Sequence, residues 1–338
     1  MTIRWGLICC RRGDGVQTFT FGREFFISSF FSGLVGGAVS GALLGLVLLA
    51  TSARATDFVI YDFDDTLMRL PTENYAFPFG EHGRLAEPRK LGFTSSELPL
   101  LRDEIGRPGT PLERFEIVGD DRDPLKGSFQ NARPGRNGEN PFDRDLALAL
   151  ELPQSEQRAL LYHEWIARES SASLRPFTRI LTGRGNAPHE MHAAFRRLEA
   201  LHPGFIAPPA DRIIPVGGRG KTADRKAEEM QPMLREAARL GATRIVFADD
   251  DIRNLEKSLD VLLDVLLSDG SRPEEAQLER RLILVREHDL VKFDFQSSSN
   301  REDLVRKLRE AAATPADPAQ LVRRQQLKDA AICRAIFF

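Results

Sequence analysis

The sequence is poor in the residues that build metal clusters and disulfide frameworks. Its 338 residues include three cysteines and six histidines. Three cysteines cannot form a disulfide framework or a zinc cluster. The closely spaced pair His189 and His192 is more typical of a helix surface than of a metal site. Net charge is also small, because 47 basic and 49 acidic residues give −2, and such a chain has no overall field that attracts nucleic acid. We therefore expect no nucleic-acid partner.

The composition is that of a globular protein. Apolar residues make up 42% of the chain and charged residues 28%, which excludes the disordered and fibrous classes. At about 150 residues per domain, the length indicates two domains, or one domain with a large insertion.

The long apolar run of the sequence lies at residues 25–50, which carry no charged side chain. A helix of that length can cross a hydrocarbon core about 30 Å thick, and the arginines before it favour a cytoplasmic N-terminus with the body of the protein outside. Ala53-Arg54-Ala55 is typical of signal-peptide cleavage, near Ala55. Glycines at every fourth position from Gly33 to Gly45 favour a retained helix instead. Residues 1–55 are thus predicted to be a signal peptide or a membrane anchor, and the rest extracytoplasmic (secreted, periplasmic or anchored) rather than cytoplasmic.

Residues 56–310 have the pattern of an α/β domain. Short apolar runs predict strands at 58–63, 177–182, 244–249 and 281–286, with a further candidate at 211–216. Helical patterns lie between them at 153–170, 188–200, 222–240 and 252–267. This alternation predicts a doubly wound, mostly parallel sheet.

Two segments depart from that pattern. Residues 67–150 are dense in proline, glycine and charge, and a structureless loop of this length is improbable inside a compact domain. We interpret them as an inserted, irregular cap with little regular structure of its own. At the other end, residues 311–338 are predicted to form a Pro/Ala linker followed by an amphipathic helix over 321–338, which we expect to pack against the domain.

The first predicted strand ends in the acidic run Asp62-Phe63-Asp64-Asp65-Thr66. Ligands of an open α/β sheet bind outside the carboxyl ends of the strands. Two carboxylates beside a hydroxyl suit a hard divalent cation that also binds phosphate. One carboxylate can attack phosphorus while the other transfers protons. Acidic residues after a strand also cap helices or fill turns. The interpretation of this run as a cation and phosphate site therefore depends on three further segments.

Three further segments complete the pattern. The second predicted strand ends in Thr182-Gly183-Arg184, which offers a hydroxyl and a backbone N–H to a phosphoryl oxygen. The strand predicted at 244–249 ends in Asp249-Asp250-Asp251, and adjacent carboxylates repel unless they are solvated or bind a cation. Lys226 lies one turn into the helix before that strand, where it can offset the charge on a phosphorylated carboxylate. Lys221 is the alternative candidate for this role.

The order and spacing of these four segments resemble the haloacid dehalogenase superfamily of phosphohydrolases, over roughly residues 57–100 and 150–290. The resemblance implies a Rossmann-like core with a cap inserted between the first two motifs. It implies a nucleophile at Asp62, an acid/base at Asp64, and catalytic roles for Thr182 and Lys226. It implies Mg²⁺ held by Asp62, Asp64 (through its backbone carbonyl), Asp249 and Asp250, and substrate contacts from Thr66, Gly183 and Arg184. The second carboxylate is typical of members that transfer phosphoryl groups.

The function implied by this resemblance is a Mg²⁺-dependent phosphatase that hydrolyses phosphomonoesters through an aspartyl-phosphate intermediate. The expected substrate is a phosphorylated small molecule or an envelope component, with membrane contact through residues 25–50. A phosphotransferase or phosphomutase of the same fold is one alternative, and a membrane-tethered, non-catalytic binding protein is another. The glycine-rich segment 215–222 is similar to a nucleotide-binding phosphate loop, but Pro215 stands where that motif needs glycine.

Overall fold

The computed structural model describes residues 56–313 except 81–89, 96, 103, 120–126, 133–138, 218–220, 265–276 and 287, together with positions 326 and 329. The apolar helix predicted at 25–50 and the rest of residues 1–55 lie outside this described part. So does the C-terminal helix predicted for 321–338, apart from those two positions. Within the described residues, no helix combines the length and apolar character that crossing a membrane requires.

The described residues form nine strands in two sheets. The strands are β1 (Asp57–Tyr61), β2 (Asn74–Pro78), β3 (Leu91–Phe93), β4 (Phe115–Glu116), β5 (Thr178–Thr182), β6 (Ile213–Pro215), β7 (Arg244–Asp249), β8 (Glu279–Val285) and β9 (Leu290–Phe295). The larger sheet has six strands in the order β6-β5-β1-β7-β8-β9. Its first five strands are parallel to their neighbours, and β9 runs antiparallel to β8.

Helices cover both faces of this sheet. Those of nine or more residues in the described part are α1 (Pro141–Glu151), α2 (Tyr162–Ser170), α3 (Pro188–Glu199), α4 (Thr222–Arg239), α5 (Ile252–Asp264) and α6 (Arg301–Ala313). Side chains of β1 alternate between the two faces: Val59 and Tyr61 pack with α1, α2 and α3, whereas Phe58 and Ile60 pack with α4, α5 and α6. The predicted α/β fold with a mostly parallel, doubly wound sheet is confirmed.

An aromatic cluster lies beneath the segment that follows β1. The Phe63 ring contacts those of Phe142 and Phe195, with centroid separations of 5.2 and 5.3 Å, and Trp165 packs edge-on against Phe195 at 5.4 Å. Such pairs contribute about 0.5–1.5 kcal/mol each beyond the area they bury. Because Phe63 lies between Asp62 and Asp64, this cluster fixes the backbone that carries both carboxylates.

The segment between β1 and β5 contains more regular structure than predicted. Strands β2, β3 and β4 form a small antiparallel sheet in the order β3-β2-β4. It has a core of its own, made of Ala76, Leu91, Phe93, Leu101 and Leu112. The expectation of an irregular cap over 67–150 is therefore wrong. Its strands have two to five residues, too few to show a periodicity, and α1, at the end of the segment, packs in the main core.

The prediction of a single helix over 153–170 is also wrong. The segment divides into one helical turn, Gln154–Gln157, and the separate helix α2. Between them the chain pairs with the loop after β1: Ala159 N–H donates to Leu67 O at 3.1 Å, and Arg69 N–H donates to Gln157 O at 2.8 Å. These bonds to a distant segment take the place of the helical bonds that the local pattern favours.

Candidate functional site

The candidate site lies at the carboxyl edge of the large sheet, where its connections change direction. From β1 the chain proceeds to β5 and β6 on one side, and it then returns to β7, β8 and β9 on the other. In open α/β sheets this reversal leaves a crevice at the carboxyl ends of the strands, which is the usual ligand site. The segments that follow β1, β5 and β7 therefore meet at this crevice.

Three carboxylates meet where β1 and β7 end. Asp62, Asp249 and Asp250 each offer an oxygen within 4.8 Å of the other two. The backbone fixes this arrangement, because Asp62 N–H donates to Ala248 O at 2.8 Å. Asp249 is fully buried and Asp62 is 6% exposed. Carboxylate oxygens grouped in this way are the ligands that hard divalent cations prefer, and these residues are three of the four predicted to hold the metal.

Lys226 connects two of these carboxylates. Its Nζ lies 2.8 Å from Asp62 Oδ1 and 2.7 Å from Asp249 Oδ2. The side chain is 1% exposed. Burial by itself lowers the pKa of this ammonium group, but Asp249 and Asp62 outweigh burial and raise its pKa above the usual value. Lys221, the alternative candidate, is exposed at the residue before α4.

The acidic cluster holds more negative charge than Lys226 balances. Burial raises the pKa of Asp62 to about 7, with a further increase from Asp249 and Asp64 that Lys226 opposes. Burial likewise raises the pKa of Asp249. It raises the pKa of Asp250 well above its usual value, with added repulsion from Asp65 and Asp249. A bound cation would remove this repulsion and favour the ionised carboxylates.

Further hydrogen bonds orient Asp249. Asn254 Nδ2 donates to both of its oxygens, at 3.0 and 3.1 Å. Asp251 N–H donates to Oδ1 at 2.8 Å. Bonds to the charged form of a carboxylate stabilise that form and fix the direction of its lone pairs. Asn254, one helical turn beyond the acidic run, thus supports the cluster from α5.

Asp64 is not one of the three clustered carboxylates and pairs with Arg184. The guanidinium donates from Nε to Asp64 Oδ2 at 2.9 Å and from Nη2 to Oδ1 at 2.7 Å. Nη2 also donates to Thr72 Oγ1, whose hydroxyl donates to buried Asp145. Arg184 was predicted to contact substrate, and the structure places it on the predicted acid/base. Its Nη1 is buried, with no hydrogen-bond partner in the described part of the chain.

The hydroxyls and glycines predicted to bind phosphate lie in the adjoining loops. Thr182 is fully buried, and its Oγ1 accepts from Arg184 N–H at 3.3 Å. Gly183 and Gly217 bring two loops together, since a Cβ on Gly217 would lie 2.1 Å from Gly183 O. The Thr66 hydroxyl is buried and lacks a hydrogen-bond partner among the residues described. These polar groups lie at or beyond the ends of β1 and β5, at the same edge of the sheet as the acidic cluster.

Arg102, from the turn that follows helical residues Leu98–Leu101, reaches this edge from the inserted segment. Its Nη1 lies 3.3 Å from Asp251 Oδ2. Burial raises the pKa of Asp251, but Arg253 and Arg102 together outweigh it and lower the pKa to about 2. Sequence reasoning missed Arg102, Thr72 and Asp145. No local pattern marks them, because each acts on a residue far away in the chain.

The fold and the site together define an α/β protein with a buried acidic cluster, bridged by a lysine, at the carboxyl edge of a parallel sheet. No protein-family model, no curated protein and no solved structure matched the chain.

Proposed function

We propose that the protein is a Mg²⁺-dependent phosphatase of the haloacid dehalogenase type, with the six-stranded sheet and the helices on its faces as its core and the small three-stranded sheet as its cap. The observation that carries the proposal is Lys226 held between Asp62 and Asp249, with Asp250 completing a three-carboxylate cluster. A buried nucleophile beside a cation and further acidic groups is what phosphoryl transfer requires, because its transition state is stabilised mainly by positioned charge.

The residues present fit a hard divalent cation. Asp62, Asp249 and Asp250 would hold Mg²⁺, together with the backbone carbonyl of Asp64, and the excess negative charge of the cluster supports this assignment. When bound, the cation neutralises charge on the phosphate.

Side chains of the protein carry out each chemical step. The Asp62 carboxylate attacks phosphorus, an Asp62–phosphorus bond forms, and the ester P–O bond breaks as Asp64 protonates the leaving oxygen. Asp64 next takes a proton from water, the resulting hydroxide attacks the aspartyl-phosphate, and Asp62 is released with inorganic phosphate. Lys226 and Thr182 stabilise the charge on Asp62 and the phosphoryl group.

Substrate contacts are assigned to the loops around the crevice. Thr66 and Gly183 would donate to phosphoryl oxygens, and the unpaired Nη1 of buried Arg184 supports a third donor there. The substrate is a phosphorylated small molecule or an envelope component. The apolar run at 25–50 supports an extracytoplasmic location, either anchored or secreted.

An assay of the full chain in mild detergent tests the proposal, with 4-nitrophenyl phosphate as substrate, with and without Mg²⁺. We expect turnover that requires the metal and is abolished in Asp62→Asn, whereas the matched exposed variant Glu228→Gln retains it. Beryllium fluoride, which mimics a phosphorylated aspartate, should raise the melting temperature of the wild type and of Glu228→Gln but not that of Asp62→Asn. A folded chain with neither turnover nor this stabilisation would overturn the proposal.

A further inference from the structure

A cavity of about 220 Å³ lies in the inserted segment. The described residues that line it are Phe79, Arg102, Ile105, Gly106, Phe115, Glu116 and Ile117. Most of these side chains are apolar, and the small core of the insert uses a different set of residues, apart from Ile105 and Phe115, which pack against its edge. The cavity is therefore separate from the packing that holds the small sheet together.

Phe79 is exposed without a structural reason. At 56% it has the largest exposure among the large apolar side chains of the described residues. Its backbone is fixed beside the cavity, because its N–H donates to Arg114 O at 2.8 Å. An exposed aromatic ring beside other apolar side chains is typical of a binding surface.

Gly106 keeps this cavity open. It has a φ of +73°, and a Cβ there would lie 3.5 Å from Phe79 Cζ and 3.3 Å from Phe115 O. A side chain at this position would lie directly against the ring of Phe79 and narrow the space. An apolar cavity of about 150 Å³ is enough to hold benzene, so the space available here suits a single ring.

Arg102 connects the cavity to the acidic cluster. Its side chain lines the cavity, and its guanidinium reaches Asp251 at 3.3 Å. Asp251 N–H donates in turn to Asp249 Oδ1 at 2.8 Å. Two contacts therefore separate the cavity wall from a carboxylate of the candidate metal site. An arginine beside an apolar wall can also stack on an aromatic ligand.

We propose that this cavity binds the organic part of the substrate, and that the substrate is a phosphomonoester of an alcohol that carries an aromatic ring. The inference rests on the proposed phosphatase function. The phosphate binds at the acidic cluster, and the ring enters between Phe79 and Phe115, with Arg102 against it. The preference for a ring is thus a property of the insert, whereas the chemical step is a property of the sheet edge.

Benzyl phosphate and ethyl phosphate test this assignment, because both are esters of primary alcohols and differ mainly in the ring. With the full chain and Mg²⁺, we expect kcat/KM to favour benzyl phosphate by about tenfold or more. Phe79→Ala should reduce this preference at least about fivefold. The control Leu201→Ala removes a similarly exposed apolar side chain, at 53%, outside the insert and should leave the preference unchanged.

The outcomes separate the two proposals. If both esters are hydrolysed at similar kcat/KM, or if Phe79→Ala keeps the wild-type preference, the cavity assignment is wrong and the phosphatase stands. If neither ester is hydrolysed, calorimetry with benzylphosphonate and ethylphosphonate decides the matter. Tighter binding of benzylphosphonate that Phe79→Ala weakens would support the cavity without the phosphatase. Equal binding of the two phosphonates would overturn the cavity assignment as well.

Discussion

Replacing Asp62 by asparagine should make the metal-free protein more stable, although it removes the proposed nucleophile. The folded protein raises the pKa of this carboxyl from 3.8 to about 7. At about 1.36 kcal/mol per pKa unit, this difference corresponds to roughly 4 kcal/mol. A raised carboxyl pKa means that the folded state binds the proton more tightly than the unfolded state. The contribution of Asp62 to stability is therefore fully present below pH 4, and it is lost as the pH rises to 7.

The assay is urea unfolding of the wild type and Asp62→Asn in EDTA, followed by tryptophan fluorescence, to which the buried Trp165 contributes. The advantage of the variant should be small near pH 4 and should approach a few kcal/mol by pH 8. Glu228→Gln neutralises an exposed carboxylate and should change stability by less than about 0.5 kcal/mol.

Magnesium should offset most of the stability advantage of Asp62→Asn at pH 8. A cation at a hundred times its dissociation constant adds about 2.7 kcal/mol to the free energy of unfolding, and this gain needs the intact cluster. If Asp62→Asn is no more stable than the wild type at pH 8 without metal, burying the ionised Asp62 carboxylate does not cost the free energy of folding that its raised pKa implies. If Mg²⁺ stabilises both proteins equally, Asp62 is not a ligand.

Other variants test the remaining parts of the structure. Lys226→Met leaves two buried carboxylates without their cation and should cost about 3–5 kcal/mol of stability in urea unfolding at pH 7; an unchanged midpoint would contradict the observed ion pairs. Arg184→Lys keeps the charge but loses the paired donors that hold Asp64, so steady-state kinetics on ethyl phosphate should show kcat reduced about tenfold or more, with a rise in KM because the Nη1 donor to the phosphate is lost as well. A change confined to KM would indicate a substrate contact alone. Phe195→Ala removes one ring from the aromatic cluster and should lower the free energy of unfolding by about 3–5 kcal/mol, measured by thermal unfolding; a loss below about 1 kcal/mol would show that the cluster repacks.

The strands that carry the site could be predicted because they are buried on both faces. β1, β5 and β7 are short and almost wholly buried, with adjacent apolar residues at their centres, which is the pattern of a parallel sheet covered by helices. β9 was not predicted, because only continuous apolar runs were taken as strands; its alternation of apolar residues with Lys292 and Asp294 is the pattern of a half-buried strand. The strands of the insert are shorter still, and prolines and glycines lie near them. Their pairing depends on residues far away in the sequence.

The acidic residues of the site could be predicted for a related reason. Asp62 and Asp249 lie at or just beyond the ends of strands, so a correct reading of the strands also places these carboxylates at one edge. The partners of Asp64 could not be found in this way. Arg184 is 120 residues from Asp64, and it becomes a neighbour only when β5 pairs with β1. The break before α2 has the same origin, in a backbone pairing that local helical propensity does not reveal.

The central position of β1 has a consequence for biosynthesis. Its neighbour β7 lies far along the chain, with Asp57 and Arg244 separated by 187 residues. At about 5–20 residues per second, the ribosome needs roughly 10–40 s to supply that partner. Until then β1 is an apolar segment with an unpaired edge, which is the kind of segment that associates with other chains. Synthesis rate and chaperone access over this interval should therefore affect the yield of native protein more than the stability of the finished fold does.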